Sequence, residues 1–421
     1  MIALAGPSPA IGSGQISPEH IKADLELAVK TILLRHPDLS HSTSRKAIEG
    51  QARRIARQIK GPTDQAGAWS LLAQLNPVLA DGHLFIGFPA WRDRDRVPIA
   101  AEGGFFPFEI ALDSNGSPTI LAELGGAQST LAGKRIQSIN GVDAGSVAHA
   151  LMARAHGDST AFRRALTGER WWLFYALRFG QPRVFSLKLR GEHRPRTVLP
   201  SSSAAANLQR ESQFEQAYSC QQTKPGTVLL KLGSFAWDDK ARYLAFTREC
   251  FSRIRTWGSK RLVIDISSNG GGDDEFWKEG VLRYLAKAPY RHGSTYRKRQ
   301  PDGSIAHGEI DIPATSEETE PLRFPGCVTV KIGLQTYSSA VLFANVIRAE
   351  KLGSVTGLGG AVRTRQSGGV QSMTLPHTGL VLFYPRFVVD TPDKGTAPSW
   401  LRSSFQPCKP TNDQASVRRP G

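Results

Sequence analysis

The feature that most constrains the fold of this chain is an alternation of apolar, strand-like runs with helical stretches between residues 227 and 347. The strand-like runs are short and rich in aliphatic residues, and they cover residues 227–232, 261–266 and 327–332. Helices are expected over residues 238–257 and 341–347. Because strand–helix–strand units build parallel sheets with helical crossovers, this pattern predicts an α/β core over residues 226–408.

The N-terminal part of the chain has a helical pattern. A Ser-Pro pair at residues 17–18 is a helix-start signal, and the apolar residues that follow recur with a period close to 3.6. Two further helices are expected over residues 43–59 and 65–79. The sequence therefore predicts a helical region over residues 17–100, in which His83 lies where helix gives way to strand or loop.

Residues 101–190 change to short strands separated by glycine turns. Asn-Gly pairs at residues 115–116 and 140–141 are typical of tight hairpin turns, and a helix is expected over residues 145–155. The Ile139-Asn140-Gly141 run with its preceding strand resembles the PDZ domain, a peptide-binding module that extends its sheet with a bound peptide. The segment is therefore expected to be a PDZ-like peptide-binding domain.

The remaining segments are expected to connect or flank these domains. Residues 191–225 are rich in Ser, Ala, Gln and Arg and are expected to form a linker. Residues 1–16 and 409–421 are expected to be flexible. A chain of 421 residues has room for several domains, so the predicted fold class is multi-domain α/β.

The charge balance raises the question of nucleic-acid binding. The chain has 53 Lys and Arg against 37 Asp and Glu, a net charge of +16. The densest cluster is Arg291, Arg297, Lys298 and Arg299, and no basic helix or nucleic-acid motif gathers these charges. We therefore expect no nucleic-acid partner. The excess instead favours substrates that are acidic polypeptides or carry an exposed C-terminus.

Cysteine usage and apolar run lengths limit the remaining classes. The four Cys lie far apart without a CxxC pair, which argues against a zinc site built on close Cys pairs and leaves both disulfides and buried thiols open. No apolar run approaches the length of a transmembrane helix. The first ten residues lack the basic leader and apolar core of a complete signal peptide, so both a cytoplasmic protein and a shortened start are open.

Two loops carry residues suited to acyl-transfer chemistry. Asn269 and three glycines follow the second buried strand, and such a turn points backbone N–H groups at a phosphate, a carboxylate or an oxyanion. Ser338 and Ser339 follow the third strand at the start of a helix, where a hydroxyl is either an N-cap or a nucleophile.

These two loops, in this order, resemble the tail-specific, or C-terminal processing, serine protease family, which includes the tricorn protease core and retinoid-binding repeats of the photoreceptor matrix. The resemblance extends from about residue 17 to residue 400. It implies that Ser338 is the nucleophile and that the N–H groups of Gly271 and Ser339 form the oxyanion hole.

The resemblance also bears on the base. One branch of the family uses a lysine, but Arg363 stands at the corresponding position, and a guanidinium cannot accept the serine proton. The tricorn-like branch uses histidine, and His83 occupies the matching position, with His377 as a weaker candidate. The chain is thus expected to be closer to the tricorn-core and retinoid-binding-repeat branch.

The orienting acid follows less closely from the resemblance. In the tricorn-like branch the acid lies near a Pro-Asp stretch, which here includes Asp390 and Asp393. Asp393 is the preferred candidate and Asp390 the alternative. The serine that precedes the histidine in that branch is replaced by Gly82.

Together these features predict a serine-type endopeptidase that hydrolyses polypeptides through an acyl-enzyme on Ser338, with His83 as general base. No cofactor and no metal are expected. The alternative is a catalytically inactive homologue that binds peptides or lipophilic molecules. Because the family is usually exported in bacteria, a periplasmic or extracellular location is expected.

Overall fold

The computed structural model describes residues 14–92, 104–310, 320–392 and 399–407. Its α-helices are α1 (Pro18–Arg35), α2 (Arg45–Gln58), α3 (Gln65–Leu72), α4 (Asn76–Leu79), α5 (Ala144–Met152), α6 (Thr160–Glu169), α7 (Trp171–Phe179), α8 (Ala206–Ser212), α9 (Phe214–Ala217), α10 (Lys240–Thr256), α11 (Asp274–Trp277), α12 (Arg283–Leu285) and α13 (Ser339–Ala349). Short 3₁₀ turns cover Leu39–His41 and Ala73–Leu75, and a π-helical turn covers Lys278–Leu282.

The strands are β1 (Phe85–Gly87), β2 (Phe108–Leu112), β3 (Pro118–Glu123), β4 (Ile136–Ile139), β5 (Val142–Asp143), β6 (Phe185–Leu189), β7 (Arg196–Val198), β8 (Tyr218–Lys224), β9 (Thr227–Leu232), β10 (Arg261–Asp265), β11 (Thr295–Arg299), β12 (Ile305–Glu309), β13 (Cys327–Ile332), β14 (Ser354–Gly357), β15 (Gln366–Gly368), β16 (Gln371–Thr374), β17 (Val381–Tyr384) and β18 (Phe387–Val389). The multi-domain α/β fold class expected from the sequence is confirmed.

The chain forms two compact units, and neither is continuous in sequence. The first unit contains residues 1–209, 297–306 and 367–388. The second contains residues 210–296, 307–366 and 389–421. The chain therefore leaves the first unit within α8 and returns to it twice.

The second unit is built on a five-stranded sheet with the order β14-β13-β10-β9-β8. Strands β9, β10, β13 and β14 pair in parallel, and β8 joins the edge antiparallel to β9. The inward side chains of the three predicted strands are buried, among them Leu230, Ile264 and Val330. The predicted strand–helix–strand pattern is confirmed, because α10 connects β9 to β10 and α13 connects β13 to β14.

Helix α10 is fixed at both its start and its middle. The carboxylate of Asp239 accepts a hydrogen bond from the Arg242 N–H at 2.9 Å and so caps its N-terminus. A disulfide joins Cys250 in this helix to Cys220 in β8, with Cα atoms 5.9 Å apart. Cys327 is disulfide-bonded as well. For the three cysteines that the structure describes, the open question is therefore answered in favour of disulfides.

The helical part of the first unit begins as the sequence predicts. Ser17 caps α1, and Asp64 caps α3 by accepting the Gly67 N–H at 2.8 Å. The third predicted helix, over 65–79, is divided into α3, a 3₁₀ turn and α4. It ends at Ala80, whose φ of 47° lies in the left-handed region. Among the described residues, no helix has the length and apolar character needed to cross a membrane.

The β-rich part of the first unit contains a β2–β3 hairpin and an antiparallel sheet with the order β5-β4-β6-β7. The predicted turn between β4 and β5 is present, with φ of 51° at Asn140 and 80° at Gly141. Helices α5, α6 and α7 belong to the same region, and the sequence pattern indicated only α5. Its core is aromatic and includes Phe105, Phe106, Phe108, Trp171, Trp172 and Phe185.

The segment expected to be a linker, residues 191–225, differs from that expectation because it carries β7, α8, α9 and β8. Its side chains have fixed partners, since the Asn207 Oδ1 atom accepts a hydrogen bond from the Trp172 Nε1 atom at 3.3 Å. At the N-terminus, Ile16 pairs with Thr63. The rest of the two expected flexible ends, residues 1–13 and 409–421, lies outside the described residues.

Candidate active site

Ser338 lies in the second unit, after β13 and immediately before α13. Its φ of 52° and ψ of −129° are a strained conformation for a residue with a side chain. The Ser338 side chain makes no capping hydrogen bond to α13. The hydroxyl of Ser338 therefore does not act as the N-cap of α13.

The glycine loop after β10 packs directly against this serine. A Cβ atom placed on Gly271 would lie 2.6 Å from the Ser338 Cβ and 2.9 Å from the Ser339 N, and the φ of Gly271 is 102°. Only glycine fits such a close approach with that backbone conformation. The two loops that the sequence singled out are therefore brought together at the carboxyl ends of neighbouring parallel strands, where α/β sheets usually bind ligands.

The two predicted oxyanion donors differ in their hydrogen bonding. The Gly271 N–H donates to the Asn269 Oδ1 at 2.8 Å, so its use as an oxyanion donor requires that bond to break. Ser339 is the first residue of α13, where the helix dipole favours negative charge. Asn269 is fully buried, and its Nδ2 donates to the Leu232 carbonyl at 3.0 Å.

The Ser339 side chain anchors the start of α13. Its hydroxyl donates to the Asp274 carboxylate and accepts a hydrogen bond from the Trp277 Nε1 atom at 2.8 Å. Ser339 and Trp277 are 3% and 0% exposed. On the other side of the nucleophile, the Ser338 N–H donates to the Gln366 Oε1 at 3.3 Å. These contacts fix the backbone on both sides of Ser338.

His83 lies in the first unit, in the turn between α4 and β1. The side chain of Asn76, the first residue of α4, ties the helix to β1 across this turn, because its Oδ1 accepts the Ile86 N–H at 2.8 Å and its Nδ2 donates to the Ile86 carbonyl at 3.1 Å. The Gly82 N–H donates to the Asp158 Oδ1 at 3.3 Å. Because these partners are buried, the His83 turn has a defined conformation.

The His83 ring belongs to a buried polar cluster. Its Nδ1 atom lies 3.0 Å from the Ser367 Oγ, although the two residues are 284 positions apart in sequence. The Ser367 hydroxyl donates in turn to the Asp81 Oδ1 at 2.8 Å. The same oxygen accepts the backbone N–H of His83 at 2.7 Å. Asp81 and Ser367 are 0% and 1% exposed, so this chain of contacts is shielded from solvent.

Two further histidines face the Asp81 carboxylate. The Nε2 atoms of His36 and His41 each lie 3.7 Å from the Asp81 Oδ2. The His36 Nδ1 accepts the Asp38 N–H at 3.1 Å, which places the proton of a neutral His36 ring on Nε2 and directs it toward Asp81. Within the described ranges, no group of three or more His, Cys, Asp or Glu is arranged to hold a metal ion.

The protonation of this cluster follows from its burial and charge. Burial raises the pKa of Asp81, but the neighbouring His36, His41 and His83 rings lower it by more than burial raises it. The pKa of Asp81 is therefore below its ordinary value. Burial lowers the pKa of His83, and the Asp81 charge and Ser367 only partly oppose this. At neutral pH the cluster therefore combines an ionised carboxylate with a neutral His83 imidazole.

The other sequence candidates have different surroundings. Asp393 lies outside the described residues. Asp390 accepts a hydrogen bond from Thr295 and pairs with Arg365 at 2.9 Å, so it is engaged within the second unit. The His377 ring stacks on His20 with 4.2 Å between ring centroids.

Arg363, which stands where the other branch has its lysine, lies over the Trp400 ring at 5.4 Å from the centroid.

Sequence reasoning missed Ser367, His36 and His41. No sequence motif surrounds Ser367, because only the folded chain brings it to His83. The Asp-Gly-His run did contain Asp81, and its position two residues before the histidine was the one clue to a buried carboxylate.

Comparisons with known proteins agree with this fold. Residues 227–399 match the family model of peptidase family S41. A solved structure of a CPAF mutant is similar, with a TM-score of 0.66 and 12% identity over 94% of each chain. Mature CPAF complexed with lactacystin is also similar, with a TM-score of 0.63 and 12% identity over 91% of this chain and 92% of that one.

A photosystem II D1 C-terminal processing protease has a TM-score of 0.45 and 14% identity over 89% of each chain. No curated protein sequence matches the chain. The S41 match lies on the segment that contains the predicted α/β core, and the CPAF similarity extends the shared fold over most of the chain.

Proposed function

We propose that this protein is a serine-type endopeptidase in which Ser338 is the nucleophile and His83 the general base. The observation that carries the proposal is the close approach of the Gly271 loop to a strained Ser338 at the start of α13, within the segment that matches peptidase family S41. This pairing of a hydroxyl with a glycine turn and a helix N-terminus suits an acyl transfer.

The reaction follows from the residues in these roles. The Ser338 Oγ attacks the carbonyl carbon of the scissile peptide bond, and its proton passes to the His83 Nε2. The resulting oxyanion is stabilised by the Ser339 N–H, and by the Gly271 N–H once it leaves Asn269. The peptide C–N bond breaks as His83 returns the proton to the leaving amine, and water then hydrolyses the Ser338 ester with His83 again as base.

The assignment of His83 to Ser338 is supported by the order of the motifs and by its neutral, buried imidazole. The presence of Arg363 at the position where the other branch has its lysine also favours the histidine-using branch, because a guanidinium cannot accept the serine proton.

The substrates proposed are polypeptides that are acidic or have an exposed C-terminus, in keeping with the net charge of +16. A periplasmic or extracellular location is proposed, and the Cys220–Cys250 disulfide supports it because disulfides persist in oxidising compartments. The PDZ-like assignment of residues 101–190 remains a prediction.

A fluorophosphonate probe tests the proposal, because it reacts with activated serines without requiring knowledge of the substrate. Wild-type protein should be labelled, and labelling should be lost in Ser338→Ala and reduced at least about 10³-fold in His83→Ala. His377→Ala should keep its label, since that ring stacks on His20. Thermal unfolding of each variant shows whether it is folded.

Three outcomes would contradict parts of the proposal. Absence of wild-type labelling, together with no cleavage of an unfolded test polypeptide, would favour the non-catalytic binding protein. Labelling that persists in His83→Ala would exclude His83 as the base. Loss of labelling in His377→Ala with retention in His83→Ala would reverse the choice between the two histidines.

A further inference from the structure

We propose that Ser367 and Asp81 act as a positioning relay that holds the His83 ring in the tautomer and orientation required of a general base. The relay would replace the direct carboxylate contact expected from Asp393 or Asp390. It depends on His83 being the base, as proposed above, and it assigns to this chain two positioning residues from distant parts of the sequence.

The direction of the hydrogen bonds follows from chemistry. An ionised carboxylate only accepts, so the Ser367 hydroxyl must donate its one proton to the Asp81 Oδ1 at 2.8 Å. The Ser367 Oγ can then only accept along its contact with the His83 Nδ1 at 3.0 Å. The proton of neutral His83 therefore lies on Nδ1, and Nε2 is left with a lone pair that can take a proton from a nucleophile.

The carboxylate at the end of the relay is itself held in place. The Asp81 Oδ1 also accepts the His83 backbone N–H at 2.7 Å, which ties the carboxylate to the residue it serves. The His36 and His41 rings face the Oδ2 side at 3.7 Å each. Segments around these rings are fixed in turn, since the Arg299 Nη2 donates to the His36 carbonyl at 2.9 Å. Asp81 is thus an ionised group whose orientation is set on both sides.

A purely structural role and a positioning role make different predictions about pH. The Asp81 charge raises the pKa of His83 against the effect of burial, so a relay variant should lower that pKa further. The other groups that bear on this ring region are His156, whose own pKa is lowered chiefly by burial, and Asp158, which accepts the Gly82 N–H. Both stay unchanged in a relay variant.

The test is the fluorophosphonate labelling rate at Ser338 between about pH 5 and 9 for Ser367→Ala and Asp81→Asn in the full chain. At the plateau we expect each rate to fall by about 10- to 10³-fold, less than the roughly 10⁴-fold loss when a direct Asp–His contact is removed. The acid limb of the pH profile, where the labelling rate falls as His83 becomes protonated, should move to lower pH in both variants. Ser367→Thr, which keeps the hydroxyl, should label faster than Ser367→Ala.

Two matched controls separate positioning from loss of stability. Ser372→Ala removes a hydroxyl from an exposed residue of β16 and should label at the wild-type rate. Asp24→Asn alters another fully buried carboxylate, one that accepts the Thr378 N–H at 2.7 Å, and should lower stability without moving the acid limb.

The outcomes distinguish the relay from the proposed function. If wild-type Ser338 is labelled in a His83-dependent manner but Asp81→Asn and Ser367→Ala match the wild-type rate and pH limb, the relay is overturned and the peptidase proposal stands. A loss of labelling without a shift of the limb, matched by Asp24→Asn at equal loss of stability, would reduce the cluster to a structural role. Absence of wild-type labelling overturns both proposals.

Discussion

Gly271→Ala is the substitution that tests the packing of the proposed site most directly. The new Cβ would lie 2.6 Å from the Ser338 Cβ and 2.9 Å from both the Ser339 N and the Tyr337 carbonyl oxygen. Ordinary carbon contacts lie at about 3.5 to 4.0 Å, so Ser338 and the start of α13 must move by roughly 1 Å. The three contacting atoms belong to one segment, and none lies at the end of a flexible side chain, so the clash is relieved only if the backbone moves.

The expected magnitudes follow from this geometry. Alanine at a φ of 102° adds backbone strain of about 1 to 3 kcal/mol, which should appear as a loss in the free energy of unfolding. A displacement of roughly 1 Å at a nucleophile costs about 10²-fold in rate. We therefore expect the fluorophosphonate labelling rate of Gly271→Ala to fall by about 10²-fold, beyond what its loss of stability explains.

Gly270→Ala is a matched control in the same loop, because a Cβ at residue 270 meets no atom within 4 Å. Its unfolding free energy should stay within about 0.5 kcal/mol of the wild type and its labelling rate within about twofold. Labelling and urea-unfolding curves that are the same for the two variants would refute the idea that the glycine loop positions Ser338.

Three further predictions concern stability. Burial lowers the pKa values of His83 and His156, so the unfolded chain binds more protons and stability should fall as pH drops below about 6.5; a urea midpoint that is constant between about pH 8 and 5.5 would contradict this. Replacing both Cys220 and Cys250 by Ala opens a loop with a sequence separation of 30 residues and should lower the free energy of unfolding by about 3 to 4 kcal/mol relative to the oxidised wild-type protein, and equal urea midpoints for the two would contradict this. Asn269→Ala leaves the Leu232 carbonyl without its side-chain donor and should cost about 1 to 3 kcal/mol in urea unfolding, whereas an unchanged midpoint would mean that water replaces the amide.

The parts of the fold that the sequence predicts best are those specified locally. The strands at residues 227–232, 261–266 and 327–332 are short runs rich in aliphatic residues, as is typical of buried parallel strands. Ser338 and the Gly271 loop follow two of these strands directly, so parallel pairing brings them to one sheet edge. The Asn140–Gly141 turn was predictable for the same reason, since its positive φ values favour these two residue types.

The parts that could not be predicted depend on contacts between distant residues. Nothing near Ser367 distinguishes it from any other serine in a strand, and only the fold brings it to His83 from 284 positions away. His36 and His41 lie near a helix end without a motif. The prediction of a linker over residues 191–225 differs from the structure for a related reason. Residues such as Asn207 are polar in sequence but are buried by partners elsewhere in the chain.

The discontinuity of the first unit has a consequence for the order in which the chain folds during synthesis. Strand β1, which follows the His83 turn, is completed by β17, whose last residue is Tyr384. A fragment ending at residue 209 therefore lacks both this partner strand and Ser367. On the ribosome, the first unit can be completed only after β17 has been synthesised, and the second unit forms its sheet from a segment that interrupts the first. His83 can thus form its contact with Ser367 only after residue 367 has been synthesised.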